Sequence, residues 1–203
     1  MNEAFFNMDP KKQERVINAA LKEFAAKGYK HASTNEIVKE ANISKGLLFH
    51  YFKGKEELYL YISNYSFQII EKIFEITDLN EKDLFKRIEA IGIAKFQIEK
   101  RFPRVFDFLL STAKEDTTEI NEKNKNRINL IYRESLEVLY ENIDYSKFKD
   151  EVDIKKAIDI LTWTLLGYGN RAIEELDSLE KVIESYLKEW KQYSEILQKA
   201  FYK

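Results

Sequence analysis

Pro10 and Pro103 are the only prolines in 203 residues, and six glycines are the only other strong helix breakers. Proline removes a backbone donor and clashes with the preceding turn, and glycine costs about 1 kcal/mol inside a helix, so their scarcity leaves long stretches free to coil. Those stretches are rich in Leu, Ile, Glu, Lys and Ala, with apolar residues recurring at intervals of three and four. At 44% hydrophobic residues the chain can bury a substantial core. No repeat of solenoid period and no low-complexity linker interrupts the pattern. An all-α fold of about nine helices and no strand follows.

The breakers and caps divide the pattern. Asp9 and Pro10 predict the start of a helix whose inner face is Val16, Ile17, Ala20, Leu21 and Phe24, and Gly28 stops it. Ser33 with Glu36 forms a capping-box pattern before a short helix with Ile37, Val38 and Ala41 inward, ending near Asn42. Ser44 caps a third short helix running to Tyr51 or Phe52, with Leu48 and Phe52 inward and Gly54 closing it. Long helices are expected from Lys55 to Ile76, from an Asn80 cap to Arg101, and onward from Pro103. Further helices are expected to Asn142, from Asp153 to Leu176, and from Ser178 to Ala200, the last opened by Asp177 with Glu180. The eight residues ahead of Asp9 contain no Lys or Arg and are expected to be disordered rather than to form a groove-reaching arm.

Composition excludes several kinds of function. There is no cysteine, which removes disulfides, thiolate metal sites and cysteine nucleophiles. The two histidines, His31 and His50, belong to no Glu-x-x-His helix motif, and no Gly-rich phosphate loop is present. Neither an enzyme nor a bound metal or cofactor is expected. The start carries no basic, apolar secretory pattern, and the longest charge-free stretches fall short of the roughly 18 apolar residues of a membrane span, so a cytoplasmic protein is the expectation. The net charge of −2 argues against indiscriminate coating of nucleic acid, yet residues 1–60 hold ten basic against eight acidic residues and the remainder 23 against 27.

A short helix, a tight turn and a second short helix over Ser33 to Phe52 is the geometry that lays one helix in the major groove of DNA. The exposed face of that second helix offers Lys45, Gly46, Leu47, Phe49, His50 and Tyr51 to base edges. Gly46 either lets the backbone approach DNA closely or relieves crowding against the preceding helix. Ser33, Thr34 and Ser44 stand at helix N-termini, where free amides favour phosphate, and Lys55 begins the next helix within reach of one.

The run from Thr34 through Ser44-Lys45-Gly46-Leu47-Leu48-Phe49-His50-Tyr51-Phe52 to Lys55 and Leu58 resembles the DNA-binding domain of the TetR family, over about residues 10 to 60. The resemblance implies a homodimer with a DNA-binding head, residues 1–54, and a larger helical body, residues 55–203, that binds an inducer. It implies phosphate contacts at Thr34, Ser44, Tyr51 and Lys55, a His50 near backbone or base, and Lys45, Gly46 and Leu47 facing the bases. Leu47 and Phe49 depart from the hydroxyl-bearing residues common at those positions, so apolar contact with a thymine methyl replaces hydrogen bonding there.

From residue 60 onward only the helical architecture resembles the family. Aromatic density in this part suggests an apolar or aromatic effector lined by Phe96, Phe106, Tyr132, Trp163 and Tyr168. Leu165, Tyr168, Tyr186, Trp190 and Leu197 on the last two helices are the expected dimer contacts, and Gly167 and Gly169 allow a close approach there. The function read from the sequence is a repressor that the effector releases from a palindromic operator. The alternative is a ligand sensor of the same fold acting as a coactivator or adaptor without an operator of its own.

Overall fold

The computed structural model describes residues 3–114, 119–174 and 179–203, with side chains described outside 3–4, 113–121 and 169–186. The described residues are helical almost throughout. They form α1 (Glu3–Phe6), α2 (Pro10–His31), α3 (Thr34–Ala41), α4 (Lys45–Tyr51), α5 (Lys55–Ile76), α6 (Leu84–Arg101), α7 (Val105–Lys114), α8 (Glu119–Tyr140), α9 (Ile154–Glu174) and α10 (Leu179–Phe201). A single 3-10 turn, Tyr145–Lys147, lies between α8 and α9. The nine longer helices match the expected layout, and α1 is an addition to it.

Local chemistry explains most of the boundaries. Asp9 caps α2 by accepting from the Lys12 amide at 3.1 Å, with Pro10 in the first turn. Gly28 breaks α2 with φ 65, ψ 176, a conformation open to glycine alone, and a last turn follows to His31. Ser44 accepts from the Leu47 amide at 3.1 Å and so opens α4. Two expected caps are corrected. Ser33 makes no side-chain capping bond, and its own amide, which Glu36 would take in a capping box, is held instead by Glu23 Oε1 at 2.9 Å across from α2. Asp83 rather than Asn80 caps α6, accepting from the amides of Phe85 and Lys86 at 3.0 and 3.2 Å.

Packing divides the chain into two compact units. One comprises Met1–Lys72 with Ile98–Glu134, the other Ile73–Gln97 with Ser135–Lys203. In the first, Val16, Ile17, Ala20, Leu21 and Phe24 of α2 are buried with Ile37 and Ala41 of α3 and Leu48 of α4. Phe24 also meets the rings of Tyr59 on α5 and Phe108 on α7, at 5.0 and 6.2 Å. In the second, a core of Leu84, Phe85, Ile88, Leu139, Ile143, Phe148, Leu161, Tyr168, Trp190 and Tyr202 joins α6, α8, α9 and α10. The end of α10 is tied down there, with the Lys149 amide donating to Phe201 O at 2.9 Å and the Lys203 amide to Lys147 O at 3.0 Å.

The expected disorder before Asp9 is overturned. Phe5 is 1% exposed, its ring set among Tyr51, Phe52 and Tyr61 at 5.5, 5.0 and 5.2 Å. Two adjacent phenylalanines are enough apolar surface to hold a short segment that its lack of charge made look detached.

No helix among the described residues is long and apolar enough to cross a membrane.

Candidate nucleic-acid interface

The helix-turn-helix is assembled from α3 and α4 on the platform of α2. Asn42 takes the left-handed conformation, φ 52, ψ 54, that ends α3. The Ile43 amide then closes on Val38 O at 3.0 Å, and the chain reaches the Ser44 cap. Arg15 Nε donates to Ala41 O at 3.3 Å, and Lys22 pairs with Glu40 at 2.8 Å, fixing α3 on α2. Leu48 and Phe52 are buried as expected, which fixes the rotation of α4 and decides what it presents outward.

The outward face is built of Ser44, Lys45, Gly46, Phe49 and His50, all exposed, flanked by half-buried Leu47 and Tyr51. Lys45 Nζ lies 5.8 Å from the Phe49 ring centroid, so the cation is carried on an aromatic face. A methyl group added at Gly46 would meet nothing within 4 Å among the described residues. That removes crowding against α3 as a reason for the glycine. Tyr51 is bracketed by His50 at 5.3 Å and Phe5 at 5.5 Å.

Ser33 and Thr34 are half-buried at the start of α3. Lys55 is engaged within the chain: Nζ donates to Lys30 O at 3.0 Å and Ala32 O at 3.1 Å, 5.0 Å from the Tyr29 ring centroid. It fastens the start of α5 to the last turn of α2, and a phosphate would have only the third ammonium hydrogen.

A family description, that of the bacterial regulatory proteins of the tetR family, matches residues 16–62, the span that holds this surface. Over those residues the chain is similar to the TetR family. The Bacillus subtilis regulator YuxN is 50% identical over 54 residues, which are 27% of this chain and 19% of that protein, so the match spans about a fifth of that relative. The fatty acid metabolism regulator protein of B. subtilis is 24% identical over 160 residues, covering 76% of this chain and 79% of its own. The ketosteroid transcriptional regulator KstR2 of Mycobacterium tuberculosis shares the fold, with a TM-score of 0.65 over 97% of both chains at 16% identity.

The effector-lining residues expected beyond residue 60 are placed less uniformly. Phe106 and Tyr132 belong to the first compact unit, half-buried and exposed respectively; Phe96, Trp163 and Tyr168 belong to the second. Trp163 is 67% exposed, so it lines no interior as the chain stands. Tyr168 is a core residue, its ring 5.8 Å from Trp190 and 5.5 Å from Tyr193 and its hydroxyl donating to Glu189 at 3.0 Å.

Of the expected dimer contacts besides Tyr168, three lie in or against the core of the second unit. Trp190 is buried in its own subunit's core, and Leu165 and Leu197 pack against that core. Tyr186 and Gly169 lie outside the described side chains. Among the described side chains, the large apolar groups left outward on α9 are Ile154, Ile160, Trp163 and Leu166, with Gly167 open beside the last of them, and on α10 Tyr193 and Ile196. Sequence periodicity did not single these out on α9, which is apolar on more than one face, so that packing shows which face turns inward.

Proposed function

We propose that this TetR-family protein is a DNA-binding transcriptional repressor that reads a palindromic operator with α4, as a homodimer, and lets go when a small apolar or aromatic effector binds. The functional division we infer is residues 1–54 for DNA and residues 55–203 for effector and partner subunit, acting in the cytoplasm. The observation that carries the DNA reading is the outward face of α4, where Lys45, Gly46, Phe49 and His50 stand exposed around a glycine with open space beside it. A donor, a flat ring and a bare backbone on a groove-sized helix suit base edges and phosphates. Thr34, Ser44, Leu47 and Tyr51 are the flanking contacts in this reading.

The direct test is selection of a duplex from a random-sequence library by the intact protein, followed by titration in salt. One preferred pseudo-palindrome is expected, its half-sites spaced by roughly 34–36 Å or a multiple. Lys45→Ala should weaken it about tenfold and flatten the salt slope by about one. Enrichment of no sequence sinks the proposal.

The dimer reading rests on the outward apolar group of α9 and α10, because large exposed apolar patches mark surfaces that a partner covers. Trp163→Glu places a charge at its centre and should raise the dimer dissociation constant by about 100-fold, as loss of an interface hot spot does. Unchanged sedimentation of that variant refutes this face. An apolar effector agrees with relatives named for fatty acid metabolism and for ketosteroids. Thermal-shift screening in which polar metabolites stabilise the protein and hydrophobic compounds do not would overturn it.

A further inference from the structure

We infer that Phe5 is a positioning residue for DNA recognition: α1 sets its ring against the last turn of α4 and holds Tyr51, and through it the reading face, in place. The inference rests on α4 being the DNA-reading helix.

At seven residues, α4 is too short to keep its orientation by its own hydrogen bonds, so what packs on its ends decides where it points. Its first turn is held by Ser44 and its middle by buried Leu48. Its last turn is held by aromatics. Phe5 meets Tyr51 edge-on at 5.5 Å, Phe52 at 5.0 Å and Tyr61 of α5 at 5.2 Å. Tyr61 continues the packing, stacked on Tyr65 at 5.8 Å, with Tyr65 against Phe102 at 5.7 Å. Burial pushes the Tyr61 phenol well above the ordinary tyrosine range, in keeping with its place inside this row.

The segment that carries Phe5 is itself anchored. Gln13 Nε2 donates to Phe6 O at 3.0 Å and to Met8 O at 2.7 Å, and the Met8 amide donates to Phe5 O at 3.2 Å. The short α1 is thereby fastened to the first turns of α2, which give its ring a fixed point of support.

The ring contacts given for Phe5 confine its action. They are to the end of α4, to Tyr61 and to its neighbour Phe6, at 6.4 Å. Removing the ring leaves one flank of Tyr51 without a wall, and the last turn of α4 regains freedom that it must lose again when the helix seats against base edges. Residues 1–8 bring no Lys or Arg, so the segment adds no attraction of its own to the DNA backbone. Its effect belongs to the fit of α4 in the groove and not to charge.

The test uses the intact 203-residue chain, the duplex that wild type selects from a random library, and a shuffled duplex of the same composition. Phe5→Ala should weaken the selected duplex about tenfold, the equivalent of one lost base contact. Shuffled-duplex affinity and salt slope should stay as in wild type, with helical content retained at the assay temperature. Phe5→Leu, which keeps bulk but not the flat ring, should fall between the two. Tyr51→Ala made in the Phe5→Ala background should add little, since both act through the same contact.

Phe5 variants that bind the selected duplex within about twofold of wild type overturn the inference, as do equal losses on both duplexes or losses that simply multiply with Tyr51→Ala. If Phe5→Ala does not fold, Phe5→Leu decides alone: a loss confined to the selected duplex supports the role, and unchanged affinity rejects it. A wild type that selects no sequence sinks the DNA reading itself, whereas a wild type that selects one, matched by its Phe5 variants, sinks only this inference.

Discussion

Helix α6 buries two charged side chains, Arg87 in one compact unit and Glu99 in the other, and the units treat them oppositely. Arg87 is 1% exposed, and its guanidinium donates to the carbonyls of Leu79, Glu81, Val138, Leu139 and Glu141. A charge taken from water is stabilised there by the fixed dipoles of the loop before α6 and the end of α8, where a cation also complements the helix dipole. Glu99 is 4% exposed, and only one of its oxygens is engaged, accepting from the Arg104 amide at 2.6 Å. The other makes no hydrogen bond among the described residues. Burial foremost, with Asp107 adding repulsion, raises its pKa to about 7 against the opposing pull of the Arg104 and Phe106 amides and the Arg104 charge. A fully satisfied charge fixes a junction, while a half-satisfied one makes stability depend on solution conditions.

Replacing Arg87 should have the largest effect. Arg87→Met strands five carbonyls at once and should lower unfolding free energy by about 3–5 kcal/mol, read from urea melts. Because arginine stays charged, the loss should be the same from about pH 5 to 9. A loss that varied with pH, or none, would break the contrast.

Glu99→Gln should act with the opposite sign. The folded pKa lies above the ordinary 4.5, so the native state holds the proton more tightly and stability falls as pH rises from about 4.5 to about 7. Above that window the glutamine variant should be the more stable by on the order of 3 kcal/mol, and its melts should lose this slope. Equal stability of the two proteins at pH 8 would show Glu99 to be satisfied after all.

Asp83 makes the smallest and sharpest comparison. Burial alone would raise its carboxyl, yet Lys147 Nζ at 2.9 Å and the amides of Lys86 and Phe85 hold it below the ordinary carboxylate range. Its stabilisation is therefore present above the unfolded pKa and lost as pH falls through the folded one. Asp83→Ala should cost about 1–2 kcal/mol at neutral pH, the usual loss for a removed helix cap, and progressively less in acid. A loss undiminished in acid would mean that packing, not charge, is what Asp83 supplies.

Sequence reading was strongest where the deciding interaction is local. Asp9, Pro10, Gly28 and Ser44 act on their own turns, and the helices begin or break at them. It failed where the partner comes from another helix. Glu23 reaches across from α2 to take the Ser33 amide, so a capping box that looks complete in sequence is not made. Phe5 carries no charge pattern, and its partners lie 46, 47 and 56 positions further along at Tyr51, Phe52 and Tyr61. Arg87 looks in sequence like any surface cation between Lys86 and Ile88, and nothing nearby reveals five carbonyls waiting for it. The α4 surface was legible as a set of residues because two buried positions, Leu48 and Phe52, fix the rest by helical geometry. The outward face of α9 and α10 was not, since Trp163 and Trp190 are equally apolar letters.

Those two tryptophans are the only indoles in the chain, and both lie beyond residue 160. One is in water and the other in the core, 67% against 6% exposed. Indole emission is thus silent on α1 to α8 and doubly informative on α9 and α10. Emission should resolve into a red component quenched by iodide and a blue one shielded from it. Subunit association over the α9 face would shift the red component toward the blue, so the protein carries its own optical gauge of assembly without a label.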